Sequence, residues 1–393
     1  MKHNWEYKRL GDVCAVKSGY TPTSDDLHEN GEYPYFKVAE MNLPGNEKYL
    51  ITSPSYLRGN VKTFPANSIV FPKNGAAVST NKKRILITDS VVDLNTAVML
   101  VDSTISVPYI YNILLNIDFS QLVKRGAIPT LNISALKDII IPVPDLKIQE
   151  QIVAELDKLN EMISTRKEQL KELDNLTQSL FYDTFGDPIS NPKGWPISKL
   201  KNLSSLITNG TTPKGGQAVY VDSGITFFRS QNVWRNKIIM DDIAYLDEIT
   251  NASMKSSMLK HNDILITKTG RINTENSSLG RSALFEGEDY TANINGHVYL
   301  VRLNEGMCPR FVLSILLSPS FHDLIRKVCV GAIDKRQLNL THIEQFPIIT
   351  PPLELQERFV AQIELIEKQK ETIEASIVEL QTLLDSRMDY WFN

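Results

Sequence analysis

The chain has 393 residues, of which 42% are hydrophobic and 22% charged, and its formal net charge is −4. That length exceeds one ordinary core and points to two or three domains; the charge argues against a non-specific nucleic-acid coat protein but leaves room for local basic patches. There is no low-complexity tract, no apolar N-terminal signal and no run of about 18 apolar residues, so a cytoplasmic protein without a membrane span is expected.

In chain order, the first anchor is Trp5-Glu6-Tyr7-Lys8-Arg9-Leu10. Tyr35-Phe36 reads as core strand, Ser68 to Phe71 and Ile139 to Val143 as apolar strands, and Tyr109 to Asn116 as a short helix. The loop from Phe71 to Arg84 holds Lys73, Lys82, Lys83 and Arg84 and no acid, with Asn74, Gly75, Ser79, Thr80 and Asn81 among them. Lys124-Arg125-Gly126 forms a further basic cluster.

After Pro142-Val143-Pro144 no proline or glycine occurs until Gly186. Apolar residues there step by four and three through Ile152, Leu156, Leu159, Ile163, Leu170, Leu173 and Leu180, with Arg166 and Thr177 filling two steps. This is a heptad seam on a long helix, about 29 residues or roughly 43 Å at ~1.5 Å per residue.

The remainder repeats this order. Trp195 to Leu200 answers Trp5 to Leu10 at an offset of 190, and Gly210 and Pro213 answer Gly19 and Pro22 at 191. Phe227-Phe228-Arg229 answers Tyr35-Phe36-Lys37 at 192, and Asn262 to Gly270 answers Asn67 to Gly75 at 195. Gly331-Ala332-Ile333 answers Gly126-Ala127-Ile128 at 205, and Leu338-Asn339 answers Leu131-Asn132 at 207. From there the offset stays at 207, with Gln149-Glu150 against Gln356-Glu357 and Phe185 against Phe392. An ordered series of matches marks two copies of one domain, the second with loop insertions. A segment that tolerates no insertion is a helix held in fixed register.

The second seam runs Phe359, Ile363, Ile366, Ile373, Ile377, Leu380 and Leu384, with Lys370 and Arg387 in the series. Neither stripe can face water, and each has the other as its obvious partner. Parallel and antiparallel pairs both place polar residues opposite apolar ones. The pseudo-symmetry of two equal units favours antiparallel. The expected fold class is α/β (α+β), with two homologous strand-rich domains alternating with two long helices in a pseudo-two-fold cyclic organisation. The expected boundaries are 1–147, 148–186, 187–354 and 355–393. The two chain ends should lie together, as though a ring had been cut between Phe392 and Trp5.

The candidate nucleic-acid contacts are Lys73, Asn74, Asn81, Lys82, Lys83, Arg84, Lys124 and Arg125 in the first copy. In the second they are Arg229, Lys268, Thr269, Arg271, Asn273, Lys335, Arg336 and Gln337. Lys and Arg suit phosphates, and Arg, Asn and Gln can offer bidentate pairs to guanine or adenine edges. Such loops also occur as plain solvated loops; their recurrence at matched repeat positions is what favours the contact reading. Trp5 and Trp195 read as packing anchors. Cys14, Cys308 and Cys329 read as small buried thiols, and neither they nor His3, His28, His261, His297, His322 and His342 have metal-ligand spacing. There is no phosphate-binding glycine loop. Thr350-Pro351-Pro352-Leu353 lacks the polar first and aromatic fourth residues of an adenine-methyltransferase motif. No catalytic site and no bound cofactor are expected.

Leu146-Lys147-Ile148-Gln149-Glu150-Gln151-Ile152 and Leu353-Glu354-Leu355-Gln356-Glu357-Arg358-Phe359 open the two helices. The junction Leu180 to Pro188, followed by Gly194-Trp195, closes the first, and Met388-Asp389-Tyr390-Trp391-Phe392 closes the second. In these segments and in their arrangement the whole chain resembles the specificity subunits of type I restriction-modification enzymes. The resemblance implies a non-catalytic, DNA-binding subunit of an adenine-N6 methyltransferase and restriction complex. Each domain would read one half of a bipartite, asymmetric site in double-stranded DNA, and the helices would set the spacer. Two methyltransferase subunits would dock on the helices and recruit restriction subunits, and these partners would bind S-adenosylmethionine, ATP and Mg. The rival readings are a coiled-coil scaffold joining two protein partners without DNA recognition, and a stand-alone nuclease, which the lack of a readable metal site disfavours.

Overall fold

The computed structural model describes residues 5–124, 126, 128–272, 274, 276–332 and 335–393. Its contacts divide the chain into a first unit, Met1–Glu168 with Glu374–Asn393, and a second unit, Gln169–Ile373.

The first unit is built on a five-stranded sheet ordered Cys14–Ser18, Thr96–Val101, Ile69–Pro72, Arg84–Leu86 and Tyr49–Leu50. Its pairs are antiparallel except the last, which is parallel. A smaller sheet sets Tyr33–Phe36 between Tyr56–Leu57 and a parallel neighbour, Val91–Val92. Glu6–Arg9 pairs with Ile140–Val143. The helix Val107–Asn116 starts with proline in its first turn, where the missing N–H costs nothing, and buries Tyr109, Ile110, Ile113 and Leu114.

The second unit repeats the plan. Its main sheet is ordered Ser204–Asn209, Val298–Leu303, Ile264–Thr267 and Ser282–Leu284, all antiparallel. Ile225–Phe228 sits between Ala244–Leu246 and a parallel Ala292–Ile294, and Ile197–Lys199 pairs with Pro347–Ile349. The helix Pro309–Leu317 takes the place of Val107–Asn116. The mostly antiparallel sheets make both units α+β.

The sequence matches now have physical causes. A Cβ on Gly19 would lie 2.3 Å from the carbonyl oxygens of Val92 and Asp93, and one on Gly210 would lie 2.1 Å from that of Ile294. Both positions admit only glycine because another backbone crosses there. Asn67 and Asn262 each take a left-handed conformation, at φ 60° and 68°, which asparagine tolerates better than most residues. Gln149 and Gln356 are buried, and each bridges its helix start to its domain. Gln149 donates to Pro144 O (2.7 Å) and accepts from Ser106 N (2.9 Å). Gln356 donates to Pro351 O (2.8 Å) and accepts from Cys308 N (3.1 Å). Tyr35, Phe36, Phe227 and Phe228 are all buried in strands, as read from sequence.

The long helices are Leu146–Phe185 and Leu353–Phe392, each of 40 residues and thus roughly 60 Å. Each starts two residues ahead of the expected boundaries at 148 and 355, directly after the proline-containing segments. Within the first unit Ile152, Leu156, Leu159 and Ile163 share one core with Leu384 and with the half-buried Ile377, Leu380 and Met388. Within the second, Phe359, Ile363 and Ile366 share a core with Phe181 and Phe185 and with the half-buried Leu173 and Leu180. Leu170 and Ile373 are half-buried. These clusters also contain the domain residues Ile69, Met99 and Ile110 in one unit and Ile264, Val301 and Phe311 in the other. The sequence reading assigned the stripe to helix–helix contact alone; it also closes each globular core.

In both units the start of one helix meets the end of the other, so the pair is antiparallel. Arg387 makes a two-pronged bond to Glu155, with Nη2 to Oε2 at 3.0 Å, and Trp391 Nε1 donates to the same carboxylate at 3.1 Å. Arg387 thereby holds the Glu155 carboxyl below the usual carboxylate range. In the second unit Lys370 pairs with Asp174, and the ring of Phe359 lies 5.7 Å from Phe181 and 5.2 Å from Phe185. Trp5 stacks on Trp391 at 5.9 Å, and Phe392 packs edge-on against Tyr109 at 5.6 Å. Trp195 lies 6.5 Å from Phe185 and donates to its carbonyl at 3.0 Å. The two tryptophans thus close equivalent corners. Among the described residues no helix is long and apolar enough to cross a membrane.

A circular permutant follows from this closure. Joining Phe392 to Trp5 through a copy of the 186–194 linker and opening the chain between Asn191 and Pro192 should give a cooperative thermal transition within a few degrees of the parent, followed by circular dichroism. A permutant that does not fold would count against the cyclic plan.

Candidate nucleic-acid interface

Two cationic edges take shape, one in each unit, by the same construction. In the first unit the chain leaves strand Ile69–Pro72 at Lys73 and meets the hairpin Val123–Lys124/Thr130–Leu131. Leu131 N donates to Lys73 O at 2.8 Å, and Gly75 N donates to Pro129 O at 2.8 Å. Lys73, Asn74 and the exposed Lys124 are thereby gathered on one edge. Lys73 Nζ donates to Ser18 Oγ at 2.7 Å. Burial lowers the affinity of its ammonium for a proton, and Asp93 acts in the opposite sense. Arg125 lies outside the described residues.

In the second unit strand Ile264–Thr267 leads into Lys268, and Leu338 N donates to Lys268 O at 2.9 Å. Thr269–Gly270 pairs with Lys335–Gln337, which pairs with Val330–Ala332. This small sheet gathers Lys268, Thr269, Lys335, Arg336 and Gln337. Lys335, Gln337 and Arg271 are exposed. Lys268 Nζ lies 5.7 Å above the Tyr299 ring, a cation–π contact that orients the side chain without neutralising it. Gly270 admits no Cβ, which would come within 2.3 Å of Leu279 N. Asn273 lies outside the described residues.

Four candidates need correction. Lys83 is fully buried; its Nζ donates to Asn81 Oδ1 (2.6 Å) and Ile117 O (2.9 Å) and lies 4.0 Å above the Phe119 ring. It cannot reach a phosphate. Arg84 donates to the carbonyls of Lys83 (2.7 Å) and Met41 (2.9 Å), so its guanidinium ties loops together. Arg229 is paired with Asp242 at 3.1 Å, which neutralises it locally. Asn81 spends its side-chain oxygen on Lys83 and on Phe119 N (2.9 Å), from a left-handed backbone at φ 54°. A run of cations without acids looked uniform in sequence, and no sequence signal separated its buried members from its exposed ones. Lys82, half-buried, donates to Asn42 Oδ1 and remains at the surface.

Sequence reading also missed the turns that flank these edges. Lys73 N donates to Asn95 O (2.9 Å) and Lys268 N to His297 O (2.8 Å). The only advance signal was their place in the repeat, at an offset of 202 between 195 and 205. Cys14 and Cys329 are buried. Among the described residues no group of three His, Cys, Asp or Glu could hold a metal ion.

Two α+β domains of one plan, each with a cationic edge and each closed by an antiparallel helix pair, define a tandem-repeat α+β protein. Residues 2–175 match the family model described as the type I restriction modification DNA specificity domain. The chain is 22% identical over 407 aligned residues to the type I restriction enzyme MjaVIII specificity subunit of Methanocaldococcus jannaschii, covering 97% of this chain and 92% of that one. It is 21% identical over 305 residues to the MjaIX specificity subunit of the same organism, covering 68% of this chain and 66% of that one. The crystal structure of a type I restriction-modification S subunit from M. genitalium superposes with a TM-score of 0.56 at 14% identity, covering 99% of this chain and 96% of that one. Over its whole length the chain is thus similar to the specificity subunits of type I restriction-modification systems, and its first 175 residues carry the match to their DNA specificity domain.

The buried lysine gives a pH test. Burial pulls the Lys83 ammonium down to about 7, with Asp118 opposing, whereas in an unfolded chain lysine titrates near ~10.4. Between those values the unfolded state holds a proton that the folded state lacks, so stability rises with pH, by at most ~1.4 kcal/mol per unit. Below about 7 the cost of the buried charge is fully present. Lys83→Met removes this dependence. Its advantage over the parent, read from urea unfolding, should be largest at pH 7 and shrink towards pH 10; parallel curves would rule the assignment out.

Proposed function

We propose that the chain is the non-catalytic, DNA-reading subunit of a type I restriction-modification complex acting in the cytoplasm. Each domain binds one half of a bipartite, asymmetric site in double-stranded DNA, mainly through the major groove. Lys73, Lys82, Lys124, Lys268, Arg271 and Lys335 serve the phosphates, and Asn74, Arg336 and Gln337 are the base-reading candidates at the two edges. The observation that carries this reading is the matched pair of main-chain bonds, Leu131 N to Lys73 O and Leu338 N to Lys268 O, which place Lys73 and Lys268 at equivalent positions in the two domains.

The same reading gives the helices two tasks. Equal lengths of 40 residues and an ion-paired antiparallel register suit a ruler that fixes the unspecified spacer. Their outer faces dock two methyltransferase subunits, which bind S-adenosylmethionine and flip the target adenine. Restriction subunits, with their ATP and Mg, join through the methyltransferase subunits. The chain itself binds none of these cofactors.

Two experiments test this. Removing one heptad from each helix, residues 167–173 and the facing 370–376, shortens the ruler by about 10 Å, or about three base pairs at ~3.4 Å each. The spacer of the methylated site should shorten accordingly with both half-sites intact; an unchanged spacer would refute the ruler. Lys73→Ala with Lys124→Ala should weaken binding to all sequences alike and reduce the log–log salt slope by about 2. A scaffold that does not recognise DNA would show no salt-dependent retention on DNA with its methyltransferase subunits present.

A further inference from the structure

Next to each cationic edge lies a turn of one design carrying different side chains. In the first unit it is Asp93-Leu94-Asn95-Thr96, between strands Val91–Val92 and Thr96–Val101. Asp93 is buried and fixes the turn: it accepts from Asn95 N (2.8 Å), Thr21 Oγ1 (2.8 Å) and Tyr35 OH (3.0 Å). Thr96 N closes the turn on Asp93 O at 3.0 Å. In the second unit the turn is Asn295-Gly296-His297-Val298, between Ala292–Ile294 and Val298–Leu303. Asn295 accepts from His297 N at 2.9 Å, and Val298 N closes on Asn295 O at 2.9 Å. Each turn is tethered to its inner strand by the same bond, Asp93 N to Phe36 O and Asn295 N to Phe228 O, both 2.9 Å.

The backbone is therefore held identically by the first residue of each turn and by main-chain bonds. The third residue supports the turn through its main-chain N–H, and Asn95 adds a side-chain hydrogen bond to the Asp93 carboxylate. Asn95 and His297 are both exposed, and each accepts through its carbonyl from the lysine that begins the edge, Lys73 or Lys268. Asn95 Oδ1 also lies 3.5 Å from Asn74 Nδ2, so its amide belongs to the same polar surface. An exposed position with a rigid backbone, a phosphate-binding lysine beside it and different chemistry in the two copies has the properties of a reading position. Asparagine offers the donor–acceptor pair that fits adenine, whereas neutral histidine offers one ring donor and one ring acceptor.

We propose that Asn95 and His297 are matched specificity-determining residues, each discriminating a base in the half-site of its own domain. This rests on the DNA-reading function proposed above. The test exchanges them singly, Asn95→His and His297→Asn, with Asn95→Ala as a variant that adds no new group. Each full-length chain is assembled with its methyltransferase subunits and given duplexes randomised across the site; the methylated sequences are then read. Each exchange should alter base preference at one or two adjacent positions of one half-site, leave the other half and the spacer untouched, and lower affinity for the parent target about tenfold to a hundredfold. Asn95→Ala should relax the same position that Asn95→His alters. Parent-like preference at every position would overturn the assignment, as would changes spread over both halves with a lowered melting temperature. A parent chain that selects no sequence at all would remove the DNA-reading function itself.

Discussion

The long helices depend on apolar burial at their ends. An isolated amphipathic helix of this length would leave its stripe in water, and propensity alone would not hold it. Here the stripe is covered twice, by the facing helix and by a globular core: Ile152 and Leu156 lie with Ile69 and Met99, and Phe359 and Ile363 lie with Val301 and Phe311. Gln149 and Gln356 then fix where each helix begins, because a buried amide satisfies both a loop carbonyl and a loop N–H. A shift of one residue would break those bonds and turn the stripe by about 100°. That explains why the offset between the copies stays constant from Leu131 onward while it drifts in the loops before.

Much of the fold could be read without coordinates. Repetition with a rising and then constant offset separates loops from helices, and the heptad steps name the buried face. Gly19 and Gly210 were legible as matched positions, and the cause of their match, a crossing backbone within 2.3 Å of any Cβ, was not. The double duty of the helix stripes also escaped the sequence, because periodicity shows that a face is covered and not what covers it.

The candidate interface was less legible. Lys73 and Lys83 stand in one acid-free loop, yet one helps to form the edge and the other is enclosed over Phe119. Residue type records a charge but not its solvent exposure, and three-dimensional closure by Ile117 and Phe119 decides the outcome. Arg229 was matched to Lys37 by the repeat, but its neutralising partner, Asp242, lies 13 residues further on, and no spacing in the sequence couples the two.

The division of the chain between its two units bears on the order in which it can be completed during synthesis. Residues 169–373 form one contiguous stretch, so the second unit has all its parts once that stretch has left the ribosome. The first unit draws its last piece, residues 374–393, from the far end of the chain. Until Leu384, Trp391 and Phe392 emerge, the apolar groups that they cover, among them Leu156, Trp5 and Tyr109, have no lid. The core of the first unit is therefore complete only with residues 374–393 in place, whereas the second unit needs no residue outside 169–373.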